Sequence, residues 1–266
     1  MGKETSYTEV KKLVMNGTSY TEVEDIAEKF NEFFTNIATQ LDAQLPQSDA
    51  SPYASMPPPH PSSFYLFPVT EQECLKIILS IKNSKTNNNE MPVHIFKSIS
   101  DYIIKPLVNI MNRCFNSGVF PNCLKIGRVT QIFKSGERSD PANYRPISTL
   151  PYLSKIFETC LRNRLVNFFE KYSRLSKFQF GFRSGMSTSD ALIELTNYIY
   201  DSLNAKKYHA CILIDYRKAF DTISHHILIK KLHMYGIRGI PLRLIQNYLS
   251  DRKQFVRIGK VSSTVE

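Results

Sequence analysis

The residues best able to do chemistry gather in one short stretch, Ala210-Cys211-Ile212-Leu213-Ile214-Asp215-Tyr216-Arg217-Lys218-Ala219-Phe220-Asp221. The small and apolar run Ala210 to Ile214 predicts a strand buried on both faces, and it ends abruptly in a carboxylate. A charge left unpaired at a buried position is costly, so Asp215 needs a metal, a cation or water within reach. A strand that delivers one Asp at its tip can hold Mg2+ against a phosphate. The same Asp can also do no more than cap the turn that follows.

Two cations form a second group. Arg128 to Lys134 alternates and predicts a strand; Ser135 to Ala142 is a turn-rich loop with Gly136 and Pro141; Asn143 to Ser148 predicts the returning strand. Lys134 and Arg145 then stand near the two arms of a hairpin. Arg offers phosphate a planar fork and Lys a mobile point charge. Two surface cations on an edge hairpin, where Lys is common, can equally serve only to discourage aggregation. Further on, Phe178-Gln179-Phe180-Gly181-Phe182-Arg183-Ser184-Gly185 precedes a capping-box pattern, Ser187 with Asp190, that opens a helix through Leu192, Leu195, Ile199 and Leu203. Phe180 and Phe182 can stack on bases, for about 1–3 kcal/mol each, or can be core residues that fix the loop.

The remaining elements must position these groups. Thr-Ser-Tyr-Thr-Glu-Val occurs at 5–10 and again at 18–23, too few copies for a solenoid. Val23, Ile26, Phe30, Phe34, Ile37 and Leu41 recur at helical spacing up to Leu45, with Thr21 and Glu24 as a capping box and Pro46 as the stop. That face predicts burial, against a core or in a partner's groove. Residues 46–68 are rich in Pro and Ser and read as an extended linker. Thr70 and Glu73 cap a second helix through Leu75, Ile78 and Ile81, which the polar run Asn83 to Glu90 breaks. Helices follow over Tyr102 to Phe115, with Pro106 in its first turn, over Pro151 to Tyr172, over Ile223 to Tyr235 before a Gly236 stop, and from Pro241. Lys253 to Ile258 predicts a strand, and Gly259-Lys260 a turn to a short partner.

Composition excludes several classes. No apolar run approaches the roughly 18 residues of a membrane span, and Met1 to Tyr20 lacks the apolar core of a signal peptide. The chain is therefore expected to be intracellular, in nucleus or cytoplasm, and not secreted or membrane-bound. The five cysteines are scattered without a C-x-x-C pair, which suggests free thiols rather than disulfides or zinc. The net charge of +10 is uneven: residues 1–60 carry −5 and the rest +15. A basic body favours a polyanionic partner.

Asp-x-x-x-Ala-Phe-Asp after a hydrophobic strand resembles the first catalytic motif of reverse transcriptases of non-LTR, LINE-like retrotransposons, in a jockey-type form. Asn143-Tyr144-Arg145-Pro146-Ile147-Ser148 is similar to a signature of that group, and Gln179-Phe180-Gly181-Phe182-Arg183 with Ser187-Thr188-Ser189-Asp190-Ala191-Leu192 resembles its second fingers motif. Ile26 to Ile37 resembles the segment between endonuclease and polymerase, and Gly118 to Lys125 the approach to the fingers, without the Trp common at the Leu124 position. The resemblance spans about residues 25–266, most strongly 118–258. It implies that Asp215 is the catalytic carboxylate and a Mg2+ ligand, that Lys134 and Arg145 grip the triphosphate, and that Phe220 crowds the ribose 2′ position. It implies that Arg183 and Phe182 lie along the template. Asp221 matches the family's last acidic residue, expected to cap the helix from Ile223.

The implied fold is α+β: an N-terminal helical extension, then the fingers and first half of the palm of a right-hand polymerase. Residues 1–68 would be connector and linker, 69–127 a helical lead-in, and 128–266 the fingers and partial palm. The implied partners are an RNA template, a DNA primer and deoxynucleoside triphosphates. The family's Gly-x-Pro-Gln-Gly loop and aromatic-x-Asp-Asp hairpin do not occur in the sequence, and a Gly-rich turn is replaced by Thr86 to Glu90. The isolated chain is therefore expected to be inactive. The alternatives are a nucleic-acid-binding fragment or transposon relic, and a basic helical scaffold.

Overall fold

The computed structural model describes residues 10–44, 51–54, 56, 58–82, 91–216 and 218–266. Most of the first repeat copy, the Pro46 stop, the polar run from Asn83 to Glu90 and Arg217 lie outside the described residues. Helices and strands mix, as expected for an α+β chain, around two separate apolar cores.

The first core belongs to a sheet. Strands β1 (Leu13–Met15) and β2 (Thr18–Tyr20) form a short hairpin ahead of helix α1 (Val23–Asp42). Ile26, Phe30, Phe34 and Ile37 line one side of α1 at steps of three and four residues, and all are buried. The Thr21–Glu24 box does not form: Glu22 is the N-cap and no side chain caps the helix. Helices α2 (Glu71–Ser80), α3 (Val93–Ser98) and α4 (Ser100–Ser117) follow, then β3 (Ile126–Phe133) and β4 (Tyr144–Thr149). After α5 (Tyr152–Lys171), α6 (Thr188–Asn204), α7 (His225–Met234) and α8 (Gly239–Leu249) come β5 (Lys253–Ile258) and β6 (Val261–Ser262). The sheet order is β4-β3-β5-β6, with β3–β4 and β5–β6 antiparallel and β3–β5 parallel. Val129, Tyr144 and Val256 on its back face pack against α1 and β1.

The second core is helical, built where α2, α4, α5 and α8 meet through Ile78, Met111, Ile156, Phe157 and Leu244. The Pro-rich segment that reads as a linker closes this core. Its described residues have no regular secondary structure, but Phe64, Leu66 and Val69 are buried while Tyr65 and Phe67 are exposed. The strap is held from far along the chain. The Asn112 side chain accepts from Val69 N–H at 2.7 Å and returns a bond to Val69 O; Phe64 N–H donates to Gly236 O; Arg238 donates to His60 O.

Two local expectations fail in instructive ways. The run Ala210 to Ile214 is not a buried strand: it has no regular secondary structure and no strand partner among the described residues, with Leu213 89% and Ile214 73% exposed. A strand needs a neighbour for its N–H and C=O groups, and none of the six strands among the described residues lies beside this one. Asp221 does not cap the next helix either. Its amide closes a turn onto Lys218 O, and Ser224, one residue before α7, accepts from Ile227 N–H.

Candidate nucleotide and template site

The β3–β4 hairpin forms in the register the alternation implies, with Phe133 opposite Tyr144 and Ile132 opposite Arg145. Phe133 and Tyr144 share the back face at 5.4 Å between ring centroids. Side chains alternate along a strand, so Arg145 and Lys134, each one residue beyond that pair, share the front face. Lys134 is fixed by its own amide, which donates to Asn143 O at 2.8 Å. Both side chains are exposed, and among the described residues neither has a hydrogen-bond or ion-pair partner. Two unpaired cations on one face can receive a polyanion without first giving up another partner. Between and below them Ile132 and Ile147, each about half exposed, make an apolar strip on the same face.

The loop joining the arms is tied internally. Asp140 accepts from Ala142 N–H at 2.8 Å, Asn143 donates to Glu137 O at 3.0 Å, and Tyr144 OH donates to Arg138 O at 2.7 Å. Arg138 stacks over Phe133, 4.5 Å from the ring centre. The tip therefore has a defined shape before any ligand arrives. Burial raises the Tyr144 phenol above its usual value, so the OH stays protonated and keeps donating at neutral pH.

The loop before α6 and the turn after Asp215 come together through aromatic rings. Phe182 sits edge-on to Phe220 with centroids 5.9 Å apart and planes at 88°. Phe182 is 86% exposed and has φ +62°, and Phe220 is 74% exposed, so neither is a core residue. Arg183 is engaged: its guanidinium pairs with Glu170 at 3.0 and 2.8 Å and donates to Ser176 O at 2.9 Å. That fork pins the loop to the end of α5. The Ser187–Asp190 capping box forms as expected, and Ser187 holds the Asp190 carboxyl below its usual value through side-chain and backbone bonds.

Asp215 is exposed at the end of the unpaired segment, and among the described residues no group of three His, Cys, Asp or Glu side chains could hold a metal. A two-ion centre needs more carboxylate than one Asp supplies, so the residues present do not by themselves fit one. The apolar exposure of Cys211 to Ile214 has a chemical readout. Cys211 and Cys123 are exposed, whereas burial lifts the Cys74 thiol to about 11 and the Cys160 thiol to about 12. At pH 8 only about one in a thousand Cys74 groups, and fewer Cys160, would be thiolate. Iodoacetamide is expected to label Cys211 and Cys123 within minutes and spare Cys74 and Cys160, read by peptide mass mapping. Protection of Cys211 would show the segment covered after all.

Sequence reasoning missed three parts of this site: the exposed Ile132–Ile147 strip, the Phe182–Phe220 contact, and the packing of α1 behind the hairpin. The first was open to view, since Ile132 and Ile147 fall on the phase of Arg145.

The family profile described as "Reverse transcriptase (RNA-dependent DNA polymerase)" matches residues 132–265. The chain is 27% identical over 241 residues to the "Probable RNA-directed DNA polymerase from transposon X-element" of Drosophila melanogaster, covering 90% of this chain and 26% of that protein. It is 31% identical over 209 residues to the "Probable RNA-directed DNA polymerase from transposon BS" of the same fly, covering 77% and 23%. To the "RNA-directed DNA polymerase from mobile element jockey" of Drosophila funebris it is 28% identical over 201 residues, covering 75% and 22%. The chain thus spans about a quarter of the length of these relatives. The resemblance carried by the hairpin and fingers motifs is borne out.

Proposed function

The chain belongs to the reverse transcriptase (RNA-dependent DNA polymerase) family, and from that premise we propose that its residues carry part of an RNA-directed DNA polymerase of a non-LTR retrotransposon. The observation that supports this most is the placement of Arg145 on β4 and of Lys134 directly after β3, both side chains unpartnered among the described residues, on one hairpin inside the matched region. In this reading the two cations take the triphosphate of an incoming deoxynucleotide, and Phe220 crowds the ribose 2′ position beside it. Phe182 offers an exposed ring to a template base. Arg183 reaches a template phosphate by exchanging the Glu170 carboxylate for it. Residues 128–266 are the fingers and first part of a palm, 69–127 the helical lead-in, and 1–68 the connector.

Mg2+ is the cofactor this reading implies, with Asp215 as one ligand of a centre that needs further carboxylates. RNA template and DNA primer are the partners, drawn to a basic body by phosphate contacts. By itself the chain is expected to bind without turning over.

Titration with Mg·dTTP tests the reading on the chain as it stands. A charge-assisted hydrogen bond is worth about 1.5–3 kcal/mol, so Lys134→Ala and Arg145→Ala are each expected to weaken binding by at least tenfold. Affinity unchanged in both variants would refute the assignment.

A further inference from the structure

We propose that the N-terminal hairpin and α1 are a brace that positions Lys134 and Arg145, with Phe30 as the positioning residue; the functional half of this rests on the triphosphate role proposed for those cations. Phe133 and Tyr144 are the residues immediately before Lys134 and Arg145, and they face each other on the back of the hairpin. Their rings are therefore the backboard of the two front-face cations. Phe30 of α1 meets Tyr144 edge-on at 4.9 Å, and Phe34 stacks on Phe30 at 5.6 Å. Tyr144 and Phe30 are both buried, so this contact is dry.

A second tie reaches the loop itself. Val14 N–H donates to Ser139 O at 2.7 Å, fastening β1 to the segment that joins the hairpin arms. The brace is anchored at its other side as well. Asn31, fully buried in α1, donates to Thr264 O and accepts from Gln254, and Glu28 receives both the amide and the hydroxyl of Thr264. The module thus crosses the back of the sheet from the hairpin to β5 and β6. A rigid-body shift of α1 would tilt the backboard, and the two cations would move with it.

Hydrogen exchange and Mg·dTTP affinity, measured together on the full chain, test the brace. In Phe30→Ala the Lys134 amide is expected to exchange at least tenfold faster while Met111, in the separate helical core, is unchanged. The Kd for Mg·dTTP is expected to rise at least fivefold, and Phe30→Leu to restore both readouts to within twofold. Val14→Pro, which removes one edge donor and leaves the core intact, is expected to loosen the loop in the same direction. Lys134 and Met111 amides accelerating together, or a hairpin unmoved in both variants, would overturn the brace. A loosened hairpin with Mg·dTTP affinity unchanged, in Lys134→Ala as well, would overturn the triphosphate reading and leave the brace standing.

Discussion

Arg164→Ala is expected to lower stability by about 2–4 kcal/mol, because one guanidinium satisfies a carboxylate and three carbonyls at once. It pairs with both Glu73 oxygens at 2.7 and 2.8 Å and donates to Phe67 O, Pro68 O and Cys160 O. Its side chain is 10% exposed and that of Glu73 27%. Truncation leaves Glu73 half-sheltered without a counter-charge and two strap carbonyls without donors. The cost falls short of a wholly buried pair because water reaches Glu73. At about 2–4 °C per kcal/mol for a chain of this size, the melting temperature is expected to fall by roughly 4–16 °C. Arg164→Lys keeps the charge but loses the fork, and should recover less than half of the loss. A shift below 2 °C for Arg164→Ala would contradict this account of the strap.

Gly236→Ala strikes the strap from its other end. Gly236 has φ +100°, where an L side chain is strained by about 1–2 kcal/mol. A Cβ there would run into the carbonyl of Ser62 and press on the Phe168 ring. Since Phe64 N–H donates to Gly236 O, the strap cannot slide away without losing that bond. The expected loss is about 2–4 kcal/mol, seen as a lower denaturant midpoint with protease cutting moved into the region of residues 58–69. Unchanged stability would mean that the strap is not seated where the structure has it.

The parts of the fold legible in the sequence are those fixed by near neighbours. The β3–β4 hairpin follows from alternation and from Gly136 and Pro141 in its loop, and Ser187 and Asp190 announce the start of α6. The β5–β6 turn at Gly259 is equally local. What escaped depends on distant partners. Residues 46–68 read as a linker because Pro and Ser dominate, yet Arg164, Asn112 and Arg238 supply bonds to the stretch from His60 to Val69 from far along the chain. A signal was present in the alternation of Phe64 and Leu66 with Tyr65 and Phe67.

The segment Ala210 to Ile214 teaches the opposite lesson. Its composition says buried strand, but a strand is a property of a pair, and no partner stands beside it among the described residues. For the candidate site, the places of Lys134 and Arg145 at the two arms of the hairpin were legible from the alternation. The 5.9 Å approach of Phe182 to Phe220 bridges two loops, and no local pattern encodes it.

Primer extension most directly tests the proposed place of Asp215 in the metal-binding centre of an RNA-directed DNA polymerase. The measurement uses an RNA template, a DNA primer and Mg2+, with a polymerase of the relatives' full length carrying these residues. A metal ligand supplying about 4 kcal/mol of transition-state stabilisation corresponds to about a 1000-fold rate effect. Asp215→Asn is expected to cut extension by at least that factor while the hairpin cations keep Mg·dTTP affinity within threefold, and the 266-residue chain alone is expected to extend nothing. Extension by Asp215→Asn at more than a tenth of the unsubstituted rate would contradict the account.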